Sequence, residues 1–205
     1  RPDDPIPAGT LAFASNYPGS LTAEDVFRIH ARYGQLMDRL IPPRPAPARD
    51  PDPDRPLRIG ILSADLRSHA VGFFIRSWLD HRDRSRFTLT CYSTSAVEDA
   101  DTTTFKALAD TWRSIPHTPG PELARLIDRD RTDILLDLSG HSTGHRLGIM
   151  NLRPAPVQVT YLGCPNTTGL RSVDYRIVDS ITDPPGSEPL STERLWRLDP
   201  CLLCY

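Results

Sequence analysis

The chain has 205 residues, 39% of them hydrophobic, and a formal net charge of −2 at pH 7. This size and composition favour one well-buried domain with a short appendage. The near-neutral charge gives no field that would concentrate nucleic acid, and no apolar run approaches the roughly 20 residues that cross a bilayer. The first residues, RPDDPIP, lack the pattern of a secretory signal. We therefore expect a cytoplasmic protein that binds neither nucleic acid nor membrane.

The cysteine and histidine spacings do not predict a metal site. Cys201 and Cys204 form a C-x-x-C pair at the end of the sequence, without the second ligand pair that a zinc site needs. His141 and His145 stand four residues apart, and no third ligand accompanies them at metal spacing. We therefore expect no metal and treat the cysteines as structural or incidental.

The first 56 residues are predicted to precede the main domain. Residues 1–20 are rich in Pro and Gly and are predicted to be irregular, whereas Thr22 is a good N-cap for a helix over 23–40. His30 lies beside the apolar stripe of this helix, where a half-buried packing role is favoured over a ligand role. Residues 42–56 contain seven prolines and are predicted to form an extended linker. This divides the chain into segment 1–41, linker 42–56 and domain 57–205.

From Leu57 onward, apolar strand patterns alternate with helical ones. Helices are predicted from His69, over 102–110, over 121–127 and up to Met150. The predicted strands are Leu57–Leu62, Phe87–Ser93, Trp112–Ile115, Asp133–Leu138 and Pro156–Tyr161, with shorter candidates at Val173–Asp179 and Arg194–Leu198. This alternation predicts an α/β fold: a Rossmann-like, doubly wound, mostly parallel sheet preceded by a helical appendage.

Three predicted strand-to-helix turns carry polar side chains, and parallel strands open such turns on one edge of the sheet. They are loop 1, Ser63–His69; loop 2, Ser139–Gly144; and loop 3, Leu162–Gly169. Loop 1 holds Asp65 and His69, which can both move protons, and the amides and hydroxyls of loops 2 and 3 can bind phosphate or sugar oxygens. None of the loops matches the dinucleotide or P-loop fingerprint. Together they favour a ligand cleft.

Structural explanations for the same residues stay open. Gly140 and Gly144 suit tight turns, Asn166 suits a left-handed turn position, and Asp65 can cap the helix that follows it. The sequence alone does not choose between capping and proton transfer for Asp65.

Several ordered blocks resemble the catalytic region of the O-linked N-acetylglucosamine transferases, including the bacterial and SPINDLY-like members. The blocks are RIGILSADLRSHAVG at 58–72, ILLDLSGHSTGHR at 134–146, LRPAPVQVTYLGCPNTTG at 152–169, DYRIVD at 174–179 and ERLWRLDP at 193–200. The resemblance implies the N-terminal lobe of a two-lobed, GT-B type, inverting glycosyltransferase. Such an enzyme moves N-acetylglucosamine from UDP-GlcNAc to Ser or Thr hydroxyls of an acceptor protein without a metal or other cofactor.

The resemblance also implies roles for individual residues. Asp65 and His69 match the family's catalytic or substrate-positioning pair, and Leu162, Gly163 and Pro165 match the loop that approaches the sugar donor. We add two neighbours, Thr167 and Gly140, as substrate-binding candidates.

The sequence departs from the family pattern at several positions. Asn166 and Thr168 replace Gly and Ser in loop 3, and Ala70 and Val71 replace the Pro-Thr pair after the histidine. The second, UDP-binding lobe is not part of these 205 residues, so we expect the isolated chain to be almost inactive. Two alternatives remain: a catalytically silent α/β interaction module, and a related transferase with a different sugar-nucleotide donor or acceptor.

Overall fold

The computed structural model describes residues 4–204. Two helices, α1 (Pro5–Ala14) and α2 (Ala23–Leu40), come first. The main domain has α3 (Ala70–His81), α4 (Ala100–Leu108), α5 (Gly120–Arg129) and two 3₁₀ helices, Leu147–Leu152 and Glu188–Leu190. Its strands are β1 (Leu57–Ser63), β2 (Phe87–Ser93), β3 (Thr111–Ser114), β4 (Ile134–Asp137), β5 (Val157–Thr160), β6 (Tyr175–Val178) and β7 (Arg194–Arg197).

The seven strands form one sheet in the order β3-β2-β1-β4-β5-β6-β7, and every neighbouring pair is parallel. The α/β, Rossmann-like fold class predicted from the sequence is confirmed. The chain order reverses between β1 and β4, and ligands bind at such a switch point, outside the carboxyl ends of the strands. Loops 1 and 2 leave the sheet at this point.

Both faces of the sheet carry apolar packing, as a central parallel sheet requires. One cluster includes Leu62, Leu135 and Leu147 and extends to Tyr33 and Met37 of α2. The other face packs side chains of β1, β2 and β4 against α3 and α4. The first cluster therefore makes α2 part of the core of the domain.

The prediction of an irregular segment over residues 1–20 is wrong between Pro5 and Ala14, which form α1. Two prolines fit into this helix because they lie in its first turn, where backbone N–H groups have no partner within the helix. Asp4 caps the turn by accepting the Ile6 N–H at 3.0 Å. The helix predicted at 23–40 is confirmed, with Thr22 and Asp25 forming a reciprocal capping box.

α1 and α2 pack over the carboxyl edge of the sheet. The closest approach is between Gly34 of α2 and Gly169 of loop 3, where a Cβ on Gly34 would lie 1.7 Å from the Gly169 carbonyl oxygen. At the end of α1, the Asn166 side-chain amide donates to the Asn16 Oδ1 at 2.7 Å. Helix α2 can reach loop 3 this closely only because a glycine stands on each side.

Residues 42–56 contain no helix or strand, in line with the proline content. The segment lies against the domain, since the Arg55 guanidinium donates two 2.7 Å hydrogen bonds to the Asp133 carboxylate. Arg49 donates to the Thr132 carbonyl and pairs with Asp128. The division of the chain at residues 41/42 and 56/57 stays a prediction.

No helix within the described range, 4–204, has the length and apolar character to span a membrane.

Candidate functional site

Loop 1 leaves β1 and brings Asp65 and His69 together above the sheet edge. Asp65 is 5% exposed, and its Oδ1 lies 3.8 Å from the Nδ1 of His69, whose side chain is 41% exposed. The Ser63 hydroxyl oxygen accepts the Asp65 backbone N–H at 2.9 Å and so fixes the turn. The two residues singled out from the sequence therefore form one pair, with the carboxylate beneath and the imidazole at the surface.

His69, and not Asp65, caps α3. The Val71 N–H donates to His69 Nδ1 at 3.3 Å, so the neutral ring is assigned its proton on Nε2. In this state His69 presents an N–H donor to the cleft. The capping role considered for Asp65 from the sequence is wrong.

The Asp65 carboxylate accepts no hydrogen bond from any residue of the described range. The guanidinium of Arg67 is 3.7 Å away and the His69 ring 3.8 Å away, both beyond hydrogen-bond length. A carboxylate with this little internal satisfaction can accept a hydrogen bond from a ligand hydroxyl. The pair thus offers one acceptor and one donor side by side.

Loop 2 turns on a buried carboxylate that the sequence analysis did not single out. Asp137, at the end of β4, accepts the Gly140 N–H at 2.8 Å and the Thr160 hydroxyl at 3.0 Å. Burial raises the pKa of Asp137 to about 6, although these hydrogen bonds oppose the shift. Gly140 takes the left-handed conformation, with φ of +53°, and a Cβ there would lie 2.5 Å from the Cβ of Cys164. Gly140 therefore shapes the contact between loops 2 and 3.

Two buried histidines, His30 of α2 and His141 of loop 2, pack against each other, and the partly buried His145 follows loop 2. The His141 ring is 4.8 Å from the His30 ring and 4.7 Å from the Tyr33 ring, and its Nε2 donates to the Thr168 carbonyl at 2.9 Å. Burial lowers the pKa of His141 to about 3. His30 is fully buried, more than the half-buried position predicted for it, and burial lowers its pKa and that of His145. Burial thus disfavours the charged form of each ring, and His30 and His141 pack α2 against loops 2 and 3.

Loop 3 places some of its predicted residues at the surface. Leu162 has φ of +65°, an uncommon conformation for a residue with a branched side chain. A Cβ on Gly163 would lie 2.2 Å from the Leu138 carbonyl oxygen, so only glycine fits there. Leu162 and Gly163 are partly exposed and Pro165 is exposed. These three residues are available to a ligand.

The rest of loop 3 is anchored by the buried carboxylate of Glu193, which the sequence analysis did not identify. Thr167 and Thr168 are fully buried. Glu193 accepts the Thr167 hydroxyl at 2.6 Å and the Thr168 N–H at 2.7 Å, and also accepts the Thr168 hydroxyl. Thr167 therefore faces Glu193 and not the cleft. An acidic residue directly before β7 was the only sequence signal for this contact.

The three loops lie side by side at the strand ends. The prediction that loop 3 leads into a helix is wrong, because the chain runs from β5 to β6 without one, and loop 2 leads into the 3₁₀ helix Leu147–Leu152. Gly144 of loop 2 lies against Ala64 of loop 1, with a Cβ on Gly144 only 2.8 Å from the Ala64 Cβ. Gly140 in turn lies against Cys164 of loop 3. Within residues 4–204, no three or more His, Cys, Asp or Glu side chains are arranged to hold a metal ion.

These features define a class: a doubly wound, parallel α/β lobe with a carboxylate–imidazole pair and polar loops at its switch point. The sequence model of Glycosyl transferase family 41 matches residues 34–199. The chain therefore belongs to glycosyl transferase family 41.

Curated relatives and a solved structure are similar over most or all of the chain. A probable UDP-N-acetylglucosamine–peptide N-acetylglucosaminyltransferase, SPINDLY, from Arabidopsis thaliana is 38% identical over 100% of the chain, which spans 23% of that relative. The Caenorhabditis elegans UDP-N-acetylglucosamine–peptide N-acetylglucosaminyltransferase is 34% identical over 68% of the chain and 12% of its own length. A mutant of the Thermobaculum terrenum O-GlcNAc transferase is a structural match with a TM-score of 0.95 and 40% identity, covering 99% of this chain and 39% of that one. The chain thus spans less than a quarter of the curated relatives it matches.

Proposed function

We propose that this chain is the N-terminal lobe of an inverting glycosyltransferase that moves N-acetylglucosamine from UDP-GlcNAc to Ser or Thr hydroxyls of proteins. The observation that carries the proposal is the Asp65–His69 pair at the switch point, where an unsatisfied carboxylate lies beside an exposed imidazole. The names of the relatives support the donor and the peptide acceptor. A second lobe completes the cleft, since the chain covers only part of the solved relative.

The proposed reaction is a single displacement. The acceptor hydroxyl oxygen forms a bond to the anomeric carbon, the bond from that carbon to the UDP oxygen breaks, and UDP leaves with the bonding electrons. The hydroxyl proton passes to Asp65, whose carboxylate accepts no internal hydrogen bond. The Nε2–H of His69 donates to an oxygen of the substrate and orients it. Proton acceptance by a positioned group contributes roughly 10²–10⁴-fold to the rate.

Loop 3 is the proposed wall for the donor. Leu162 and Gly163 are partly exposed and Pro165 is exposed, and loop amides can bind the oxygens of a sugar nucleotide. Gly140 and Thr167 support this wall: Gly140 permits the close contact with Cys164, and Thr167 anchors the loop to Glu193. Their contribution to donor binding is therefore through the position of the loop.

Two further points of the proposal concern metal dependence and cellular location. We propose a metal-independent reaction, as the resemblance to the O-linked N-acetylglucosamine transferases implies, in which Asp65 takes the hydroxyl proton and His69 orients the substrate. We also propose that the protein acts in the cytoplasm on protein acceptors, apart from nucleic acid and membrane.

The test uses the longer protein in which this lobe is joined to the second lobe. The expected result is transfer from UDP-GlcNAc to a Ser-containing peptide, lowered well over tenfold by His69→Ala without loss of folding. The isolated 205-residue chain should show almost no turnover. An unchanged rate in His69→Ala would remove His69 from the mechanism. Folding without donor binding would favour a silent interaction module, and turnover with only another sugar nucleotide would favour a sibling transferase.

A further inference from the structure

A pocket adjoins His69 on the side of loop 1 that faces away from loop 3. It has a volume of about 430 Å³ and lies between the first turns of α3 and α4, lined by Arg67, His69, Phe73, Arg76, Asp101 and Phe105 among others. The sheet order places β2 on one side of β1 and β4 and β5 on the other. The pocket is therefore on the β2 side, and the proposed donor wall is on the β5 side, with Asp65 and His69 between them.

The charged groups of this pocket are only loosely paired. Arg76 Nε lies 3.6 Å from Asp80, and Arg67 lies 3.7 Å from Asp65, whereas charge-assisted hydrogen bonds are about 2.7–2.9 Å long. The one hydrogen bond that either guanidinium makes within residues 4–204 is a 3.4 Å contact from Arg67 to the Ala64 carbonyl. Most of their N–H donors are therefore available to a ligand. On the α4 side, Asp101 lines the pocket, and the carboxylate of Asp99 accepts the backbone N–H of Ser68 at 2.9 Å and caps α4.

An apolar side chain lies next to these cations. Phe73 is 65% exposed and three residues before Arg76, so the two share one face of α3. An exposed aromatic ring beside loosely paired guanidinium groups matches a ligand with both apolar and anionic parts. A polypeptide segment with a hydrophobic and an acidic side chain has this chemistry.

We infer that this pocket binds the acceptor polypeptide next to its target hydroxyl and selects segments with an acidic side chain near that hydroxyl. The inference rests on the proposed function, because it uses His69 as the boundary between the donor and the acceptor. The acidic side chain contacts Arg76 and Arg67, and an apolar neighbour packs on Phe73. Asp101 disfavours a second acidic residue on the α4 side.

The experiment compares two Ser peptides in the longer, two-lobed protein, one with Glu three residues from the Ser and one with Gln there. Arg76→Ala is expected to raise the KM of the Glu peptide about fivefold relative to the Gln peptide, as for a partly exposed ion pair. Arg76→Glu is expected to reverse the preference and favour a peptide with Lys at that position. Arg125→Ala is the matched control, because Arg125 is exposed on α5 and away from the pocket.

The experiment distinguishes failure of the acceptor-pocket inference from failure of the proposed function. Transfer to both peptides with equal KM values in the wild type and in Arg76→Glu would overturn the acceptor pocket and leave the proposed function intact. Absence of transfer to any peptide by the wild type would overturn the proposed function, and the pocket with it. A Glu-peptide preference that Arg76→Glu reverses supports the inference.

Discussion

Replacing Gly34 by Ala tests whether α2 is part of the domain that carries the site. A methyl group at this position would lie 1.7 Å from the Gly169 carbonyl oxygen and 2.6 Å from the Gly169 carbonyl carbon. Normal carbon–oxygen contacts start at about 3.3 Å, so α2 and loop 3 would have to separate by about 1.6 Å. Both obstructing atoms belong to the backbone, and no side-chain rotation can relieve the clash.

The expected loss is about 2 kcal/mol in the free energy of unfolding. Overpacking at a backbone contact costs about 3 kcal/mol, the upper end of the usual range, and the better helix propensity of Ala returns about 1 kcal/mol. For a domain of this size, 2 kcal/mol corresponds to a decrease in Tm of about 4–8 °C. The separation also moves loop 3, which contacts α2 through Gly169.

The assay is urea or thermal denaturation of the 205-residue chain followed by circular dichroism. Gly19→Ala is the matched control, because a Cβ there meets no atom within 4 Å, and its effect should stay within about 0.5 kcal/mol. If Gly34→Ala is as stable as Gly19→Ala, then α2 does not pack against loop 3 and the helical segment is a separate appendage.

Two further predictions concern the buried polar groups. Glu193→Gln should destabilise the chain by about 1–3 kcal/mol, because an amide NH₂ would face the donors of Thr167 and Thr168. Urea denaturation measures this beside Glu122→Gln, a control at an exposed position of α5, and equal midpoints would contradict it. Burial lowers the pKa of His141 to about 3 from 6.5, so the unfolded chain binds a proton below pH 6.5 that the folded chain does not. Stability from this residue is complete above pH 6.5 and decreases as the pH falls, by about 2 kcal/mol at pH 5. His141→Gln, which can still donate to Thr168, should lose about that much less between pH 7.5 and 5 than the wild type, and an equal loss in unfolding titrations would show that His141 is protonated when folded.

The sheet was predictable because buried parallel strands leave continuous apolar runs. The predicted Phe87–Ser93 coincides with β2, and Leu57–Leu62 ends one residue before β1 does. Helix α1 was not predictable from composition, since Pro5 and Pro7 are unfavourable anywhere except in a first turn. Only the capping contact of Asp4 and the packing on α2 reveal that the helix starts there.

The site was predictable where it depends on strand ends and unpredictable where it depends on distant contacts. Asp65 and His69 follow β1 directly, so the end of the strand predicts their place. Thr167 is a residue type that often binds ligands, but its hydroxyl donates to the buried Glu193, 26 residues away in the chain, and so faces inward. Local sequence patterns do not predict contacts between residues that are distant in the chain, and the packing of Gly34 on Gly169 is a second example.

The most direct measurement of the central claim is the rate of GlcNAc transfer from UDP-GlcNAc to a Ser peptide by the two-lobed protein carrying Asp65→Asn. The amide keeps the size of the side chain but cannot take the hydroxyl proton. The predicted result is a kcat lowered by about 10²-fold or more, with an unchanged Tm and an unchanged KM for the donor. A kcat equal to that of the wild type would contradict the assignment of the reaction to this edge of the lobe.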